Sequence, residues 1–165
     1  MPISPYLKRL RGFVGRELLL VPGAAAIIHD ERRRVLLQRR SDTKDWGVIG
    51  GATDPGEQPA QTLVREAYEE TGLRVRPLRL LGVLLFAGTY PNGDKLEMTV
   101  SVFRCEIVGG ELGSLDGESL ELEFFSPDKL PPSKDIQKYP PWMFYPEDKP
   151  AHFNWDETWL TDKNL

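Results

Sequence analysis

Three glutamates at helical spacing are the residues of this sequence best suited to chemistry. Glu66, Glu69 and Glu70 lie in the segment 59–71, where apolar residues recur at helical intervals. Because each residue of an α-helix advances by roughly 100°, the three carboxylates fall within an arc of about 100°. Glutamates three and four residues apart repel one another, and the pattern therefore favours a bound positive charge. Mg²⁺, which takes hard oxygen ligands, is the natural candidate.

The residues before this helix distinguish a metal site from a solvated acidic face, which is the alternative for any such helix. Gly50 and Gly51 allow the backbone to approach a ligand closely, and residues 54–56 read Asp-Pro-Gly, a turn signature. Pro59 suits the first helical turn and Gly72 suits the C-terminal end. A glycine-rich loop that leads into a carboxylate-bearing helix is suited to hold phosphate and metal.

Residues 51–73 resemble the box of the Nudix (MutT-related) hydrolases. That box reads Gly, five residues, Glu, seven residues, Arg-Glu, an apolar residue, any residue, Glu-Glu, any residue, Gly and an apolar residue. Every spacing matches, and only Ala67 departs, since a larger aliphatic residue is usual there. The matching positions are Gly51, Glu57, Arg65, Glu66, Ala67, Glu69, Glu70, Gly72 and Leu73. The order of the predicted strands extends the resemblance over about residues 23–130.

The resemblance implies an α/β (α+β) fold: an α/β/α sandwich around a central mixed sheet, with the box as loop–helix–loop. The residues themselves also predict a mixed sheet, because one helical segment lies among several strand-like ones. Strand-like runs occur at 17–21, 23–28, 34–38, 46–49, 73–86, 95–106 and 120–125, with a hairpin between the second and third. We expect one domain over residues 1–165, with a core of about 17–130 and an N-terminal helix over 5–14.

The tail, residues 131–165, is rich in proline and aromatic residues. A disordered tail would lack this aromatic content. We therefore expect it to wrap over the domain or over a partner subunit, and the aromatics favour a homodimer. The aromatic residues concerned are Trp142, Phe144, Tyr145, Phe153, Trp155 and Trp159.

The resemblance also implies the roles of the box residues. Glu66, Glu69 and Glu70 would bind divalent ions, with the Gly50 carbonyl as a further ligand. The supporting residues would be Gly51, Glu57 and Arg65, of which the last two brace the loop against the helix.

The reaction implied is hydrolysis of the diphosphate in a nucleoside diphosphate linked to another group, with Mg²⁺ as cofactor and Mn²⁺ as a substitute. The substrate would be a small molecule such as a (deoxy)nucleoside triphosphate, a dinucleoside polyphosphate or a nucleotide sugar. The general base stays open: Glu66 or Glu70 within the box, or from a later acidic loop Glu118 first and Glu121 second. A non-catalytic nucleotide-binding domain on the same fold is the alternative.

Other residues are candidates for substrate contacts. Arg39 and Arg40 follow a strand and could reach phosphates, although an exposed strand end is an equal alternative. Tyr90 lies 17 positions past Leu73 (90 − 73), where a tyrosine accompanies dinucleoside polyphosphate hydrolases in this family. Gly88 stands where a proline accompanies ADP-ribose hydrolases, and that subgroup is therefore not favoured.

Composition narrows the partners further. The formal net charge of −4 disfavours extended nucleic acid, including a general RNA-binding role, because such proteins carry a basic surface. One cysteine, Cys105, excludes an internal disulfide and is expected to be a buried thiol. Without a membrane-length apolar run, a cytoplasmic protein is expected.

Overall fold

The computed structural model describes residues 4–89 and 93–154. Tyr90, Trp155 and Trp159 lie outside these residues. Within them, no helix is long and apolar enough to cross a membrane. The helices and strands are α1 (Pro5–Val14), β1 (Leu19–His29), β2 (Val35–Arg40), β3 (Trp46–Gly47), β4 (Ile49–Ala52), α2 (Pro59–Thr71), β5 (Leu73–Thr89), β6 (Lys95–Gly110) and β7 (Ser119–Phe125). Short 3₁₀ turns follow at Pro127–Lys129, Ile136–Lys138 and Pro141–Phe144.

The strands form one mixed sheet, as predicted. Its order is β3-β2-β1-β6-β5, with β4 beside β1 and β7 beside β2. β1 and β6 run parallel, and the other strand pairs are antiparallel. The predicted hairpin is present as β1 and β2, which meet at the pair His29–Val35. The run predicted at 17–21 enters the same long strand β1 rather than forming one of its own.

Helix α2 packs on one face of the sheet. Leu63 and Ala67 are fully buried there, against β1 and β2 residues such as Ile28 and Leu36. Burying a leucine side chain contributes about 1.5–3 kcal/mol. Cys105 belongs to the same cluster, and burial raises its pKa to about 12. The prediction of a buried, unreactive thiol is confirmed.

The residues that bound α2 explain why the helix begins and ends where predicted. Pro59 occupies the first turn, where a missing N–H costs nothing, and the Gln61 side chain accepts a hydrogen bond from Gln58 N (2.8 Å). At the other end Gly72 adopts a left-handed conformation, φ 70°, and donates to Tyr68 O. A side chain at Gly72 would also meet the Glu111 carbonyl at 2.4 Å. Both ends of the box helix are therefore fixed by local chemistry.

The tail covers the opposite face of the sheet, as one of the two predictions for it required. Met143 and Phe144 are buried in the second core cluster together with Ile27, Leu37 and Leu81. Short 3₁₀ turns, rather than an α-helix, therefore build the layer opposite α2. Helix α1 buries none of its residues and lies beside the start of β6, where Arg11 donates to Lys95 O (2.6 Å).

Arg104 fastens the tail to the sheet. Its guanidinium, buried on β6, donates to the carbonyls of Tyr145, Pro146 and Glu147 at 2.8, 2.7 and 2.7 Å. Three carbonyls would lose their donor if this side chain were removed.

Arg104→Ala should therefore lower the free energy of unfolding by about 2–3 kcal/mol, because charge-assisted hydrogen bonds of buried groups are lost. Urea unfolding followed by tryptophan fluorescence measures this. The matched control is Arg76→Ala on β5, whose exposed ion pair with Glu106 should contribute less than about 1 kcal/mol. Equal losses in the two variants would contradict the assignment of Arg104 as the anchor.

Candidate active site

Glu70 lies between helix α2 and the glycine strand β4, with 1% of its surface exposed. Its Oε2 accepts a hydrogen bond from Gly50 N at 2.9 Å. Its Oε1 is buried without a hydrogen-bond partner among the described residues. Burial raises the pKa of Glu70 to about 8, and the nearby charge of Glu66 adds to the shift. A buried oxygen without a hydrogen-bond partner is rare in proteins. Glu70 Oε1 is therefore a candidate to accept a ligand.

Glu66 lies directly against Gly51. A Cβ at Gly51 would meet the Glu66 carboxyl carbon and Oε1 at 2.5 Å, and so a side chain at this position would displace the carboxylate. At Gly50 a Cβ would meet the Ala24 carbonyl at 2.3 Å. Burial, with smaller contributions from the charges of Glu69 and Glu118, raises the pKa of Glu66 to about 7.

Arg65 joins the loop of the box to its helix. Its guanidinium donates to both Glu57 oxygens, at 2.7 and 3.0 Å, and to the Ala52 carbonyl at 3.1 Å. The hydrogen bonds from Arg65 hold the pKa of Glu57 down at about 2, and Asp54 N and Thr62 Oγ1 also donate to that carboxylate. The loop is therefore fastened to both β4 and α2.

The third nitrogen of the Arg65 guanidinium, Nη1, lies between Glu66 and Glu69, two of the predicted metal ligands. Nη1 donates to Glu66 Oε1 at 2.8 Å and to Glu69 Oε2 at 3.1 Å. Among residues 4–89 and 93–154, no three acidic, histidine or cysteine side chains are arranged as a ready-made metal site. Convergence of the three glutamates on one point is thus not present, because Glu66 and Glu69 are turned towards Arg65.

The residues nevertheless suit a divalent cation. Nη1 shows that Glu66 and Glu69 can share one positive group, while the free Oε1 of Glu70 offers a hard oxygen acceptor. A cation would take the place of Nη1 between the first two, and Arg65 would keep its bonds to Glu57. The Gly50 amide holds Glu70 in place.

Gln38 and Ser119 support Glu70 and were not anticipated from the sequence. Gln38 is fully buried on β2, and its Oε1 accepts a hydrogen bond from Ser119 Oγ at 2.6 Å. Its amide lowers the pKa of Glu70, although Nε2 makes no hydrogen bond within the described chain. The one sequence signal is a glutamine that directly follows the apolar residues 35–37 on β2.

The acidic loop that contains Glu118 is held near the end of α2 by backbone hydrogen bonds. Leu115 N donates to Glu69 O at 3.1 Å, and Ser41 N donates to Glu118 O at 2.7 Å. Glu118 thereby lies close enough to raise the pKa of Glu66, and burial raises its own pKa. The structure brings this first loop candidate to the box.

Arg39 and Glu121 lie elsewhere. They face each other across β2 and β7 as a half-exposed ion pair with 3.7 Å between Nη1 and Oε2. Their predicted contacts with substrate stay predictions. Arg40 instead points towards Asp42, which accepts from its Nε and Nη2 at 3.0 and 2.8 Å, and its charge lowers the pKa of Glu70.

A pocket of about 990 Å³ meets the box at Gly50 and Gly51. One wall contains Arg40 and the turn 42–45, and a second is the tail segment 132–139. The remaining lining is mostly apolar and contains Phe86, Ala87, Leu96, Met98 and Val100. Phe86 lies against Tyr139 of the tail, with ring centres 5.2 Å apart. The tail's contribution could not be foreseen, because no periodicity marks residues 132–139.

The fold and site are those of an enzyme class that works on diphosphates, and comparison with known proteins agrees. A family model, the NUDIX domain, matches residues 19–145. An ADP-ribose pyrophosphatase of Methanocaldococcus jannaschii is 32% identical, over 76% of this chain and 77% of that protein. A MutT-like protein of Streptomyces ambofaciens is 33% identical over 64% of each. The crystal structure of an ADP-ribose pyrophosphatase from Streptococcus suis superposes with a TM-score of 0.59 at 26% identity, over 75% of this chain and 86% of that one.

The chain belongs to the Nudix family. The predicted fold class and the predicted enzyme class, a hydrolase acting on phosphoric anhydrides, are thereby confirmed.

Glu70 should make the metal-free protein less stable as pH rises. Its pKa is about 8 when folded and near 4.5 when unfolded, so the folded state binds more protons between these values and stability falls from pH 5 to pH 8. Thermal unfolding in EDTA should show this fall, and Glu70→Gln should make its slope smaller. Glu66, whose pKa is also raised, should keep part of the fall in the variant. His29, whose pKa is lowered by burial, has the opposite effect in both proteins and cancels in the difference.

The control is Glu123→Gln, at an exposed position on β7, which should keep the slope of the parent protein. An unchanged slope in Glu70→Gln would show that this carboxyl does not retain a proton in the folded state.

Proposed function

We propose that this protein is a Mg²⁺-dependent hydrolase that cleaves the diphosphate bond of a nucleoside diphosphate linked to another group. The observation that carries this proposal is the position of Glu66 and Glu70 against the glycine strand. Both carboxylates contact Gly50 or Gly51, and the same two glycines line the pocket. Acidic ligands and a substrate pocket therefore meet at one strand.

The site residues divide into ligands and supports. Glu66, Glu69 and Glu70 would hold the metal, with the Gly50 carbonyl as a further ligand and Mn²⁺ as a substitute ion. Bound metal would neutralise phosphate oxygens and lower the pKa of the attacking water. The ion pair between Arg65 and Glu57 joins the loop to the helix and does not involve Nη1. It would therefore keep Glu66 and Glu69 in position after a metal replaces Nη1 between them.

A carboxylate near the box would act as the general base that removes a proton from the attacking water. A base that titrates near neutral pH is best suited to this step, and Glu66 has a pKa of about 7 in the metal-free protein. Glu118 is the candidate outside the metal ligands, because it lies near Glu66 on a loop anchored to α2.

The substrate is a small nucleotide. One relative is by name an ADP-ribose pyrophosphatase, and ADP-ribose is a diphosphate joined to a nucleoside. The net charge of −4 supports a small ligand held by local groups and metal rather than an extended nucleic acid. A homodimer in the cytoplasm stays a prediction.

Glu66→Gln and Glu70→Gln should each reduce Mg²⁺-dependent turnover by about 10²-fold or more, because each removes a charged ligand while keeping its shape. Turnover is measured on a panel of nucleoside triphosphates, dinucleoside polyphosphates and nucleotide sugars. Products are identified by mass after reaction in H₂¹⁸O, and one phosphoryl product should carry the label.

The matched control is Glu123→Gln, which should retain full activity since this carboxylate lies exposed on β7. Full activity in both box variants would overturn the proposed site. Tight binding of the panel with no product released would favour the non-catalytic alternative.

A further inference from the structure

The residues that line the pocket beside the box are of two kinds. Phe86, Leu96 and Met98 are apolar, whereas Arg40, Lys44, Lys134 and Lys138 are cationic. Lys138 Nζ lies 5.5 Å from the centre of the Phe86 ring, so the two kinds adjoin. A further phosphate on a nucleotide would give the cations an anionic partner, which the uncharged sugar of a nucleotide sugar does not.

The pocket lining also contains three aspartates, and each is engaged. Asp42 accepts from Arg40, Asp135 accepts from Lys138 Nζ at 2.9 Å, and Asp45 accepts from the backbone amides of Trp46 and Lys134. These contacts account for two of the four cations.

The other two cations have no such partner. The ammonium groups of Lys44 and Lys134 make no ion pair or hydrogen bond with any residue in the described parts of the chain. Both side chains belong to pocket-lining turns. Lys44 also has a φ of 61°, which a non-glycine residue rarely adopts. The pocket therefore has two lysines available for an anion.

Hydrogen bonds join the turn at 42–45 to the tail segment at 132–139, and they keep Lys44 and Lys134 close to each other. Buried Ser133 donates to Trp46 O at 2.5 Å, and Asp135 N donates back to Ser133 Oγ at 3.0 Å. Lys134 N donates to Asp45 Oδ2 at 3.2 Å. The tail segment is thus bonded to the residues that follow Lys44.

We propose that Lys44 and Lys134 bind an anionic group of the substrate outside the scissile diphosphate, and that the enzyme therefore prefers nucleoside polyphosphates to nucleotide sugars. This inference rests on the proposed function, in which the glutamates and the glycine strand hold the scissile diphosphate. The pocket then receives the rest of the molecule, and Lys44 and Lys134 select that part by its charge.

The test compares substrates that differ only in the second group. ATP and ADP-glucose share adenosine diphosphate, and GTP with GDP-mannose and UTP with UDP-glucose repeat the comparison for other bases. The parent enzyme should show a kcat/KM at least about tenfold higher for a triphosphate than for its sugar counterpart. Lys44→Gln/Lys134→Gln should lose about tenfold on the triphosphate through KM and less than about twofold on the sugar. The loss should shrink at 0.5 M NaCl, because exposed charges are screened.

Lys129→Gln is the control, since Lys129 is exposed outside the pocket and should leave both substrates unaffected. A preference for nucleotide sugars, or equal losses on both members of a pair, would overturn the anionic subsite and leave the proposed function standing. Hydrolysis of no substrate in the panel would overturn the proposed function and the subsite together.

Discussion

The close approach of helix α2 to strand β4 is the constraint on which the site depends. Two consecutive residues without side chains, Gly50 and Gly51, let the helix lie so near that Glu66 contacts one and Glu70 bonds the other. The same approach removes both carboxylates from water, which is why their pKa values rise. The burial that places Glu66 and Glu70 for a metal thus also makes their ionised forms unfavourable in the metal-free protein.

In the metal-free molecule Arg65 offsets the unfavourable charge of Glu66 but does not contact Glu70. It places one positive group between Glu66 and Glu69 while both of its other donors hold Glu57 and β4. The guanidinium therefore acts as a brace and as a temporary counter-charge. A lysine could not serve both purposes, because a single ammonium lacks the planar fork that engages several acceptors at fixed angles.

Local patterns predicted the parts of the molecule that local chemistry determines. The bounds of α2 follow from Pro59 and Gly72, and its acidic face follows from the spacing of the glutamates. The bracing role of Arg65 was implied only by the resemblance of the box to the family's. The partners of Gln38 were not predictable, because a glutamine in a strand gives no sign of the helix carboxylate it will face. The orientation of the Glu66 and Glu69 carboxylates towards Arg65 was not predictable either, because it depends on side-chain contacts across the loop. The tail was harder still: its buried residues, such as Met143 and Phe144, are separated by prolines and show no repeat, and only the exposed sheet face reveals where they belong.

The fastening of the tail has a consequence for biogenesis. Strands β1 and β6, paired in parallel, can meet only after the chain between them has been made, and the pocket wall at 132–139 comes later still. A nascent chain that ends before the tail would leave Ile27, Leu37 and Leu81 exposed to the cell, since the tail is what covers them. Such an intermediate is prone to self-association. A chain truncated before the tail is therefore expected to aggregate more readily than the full chain.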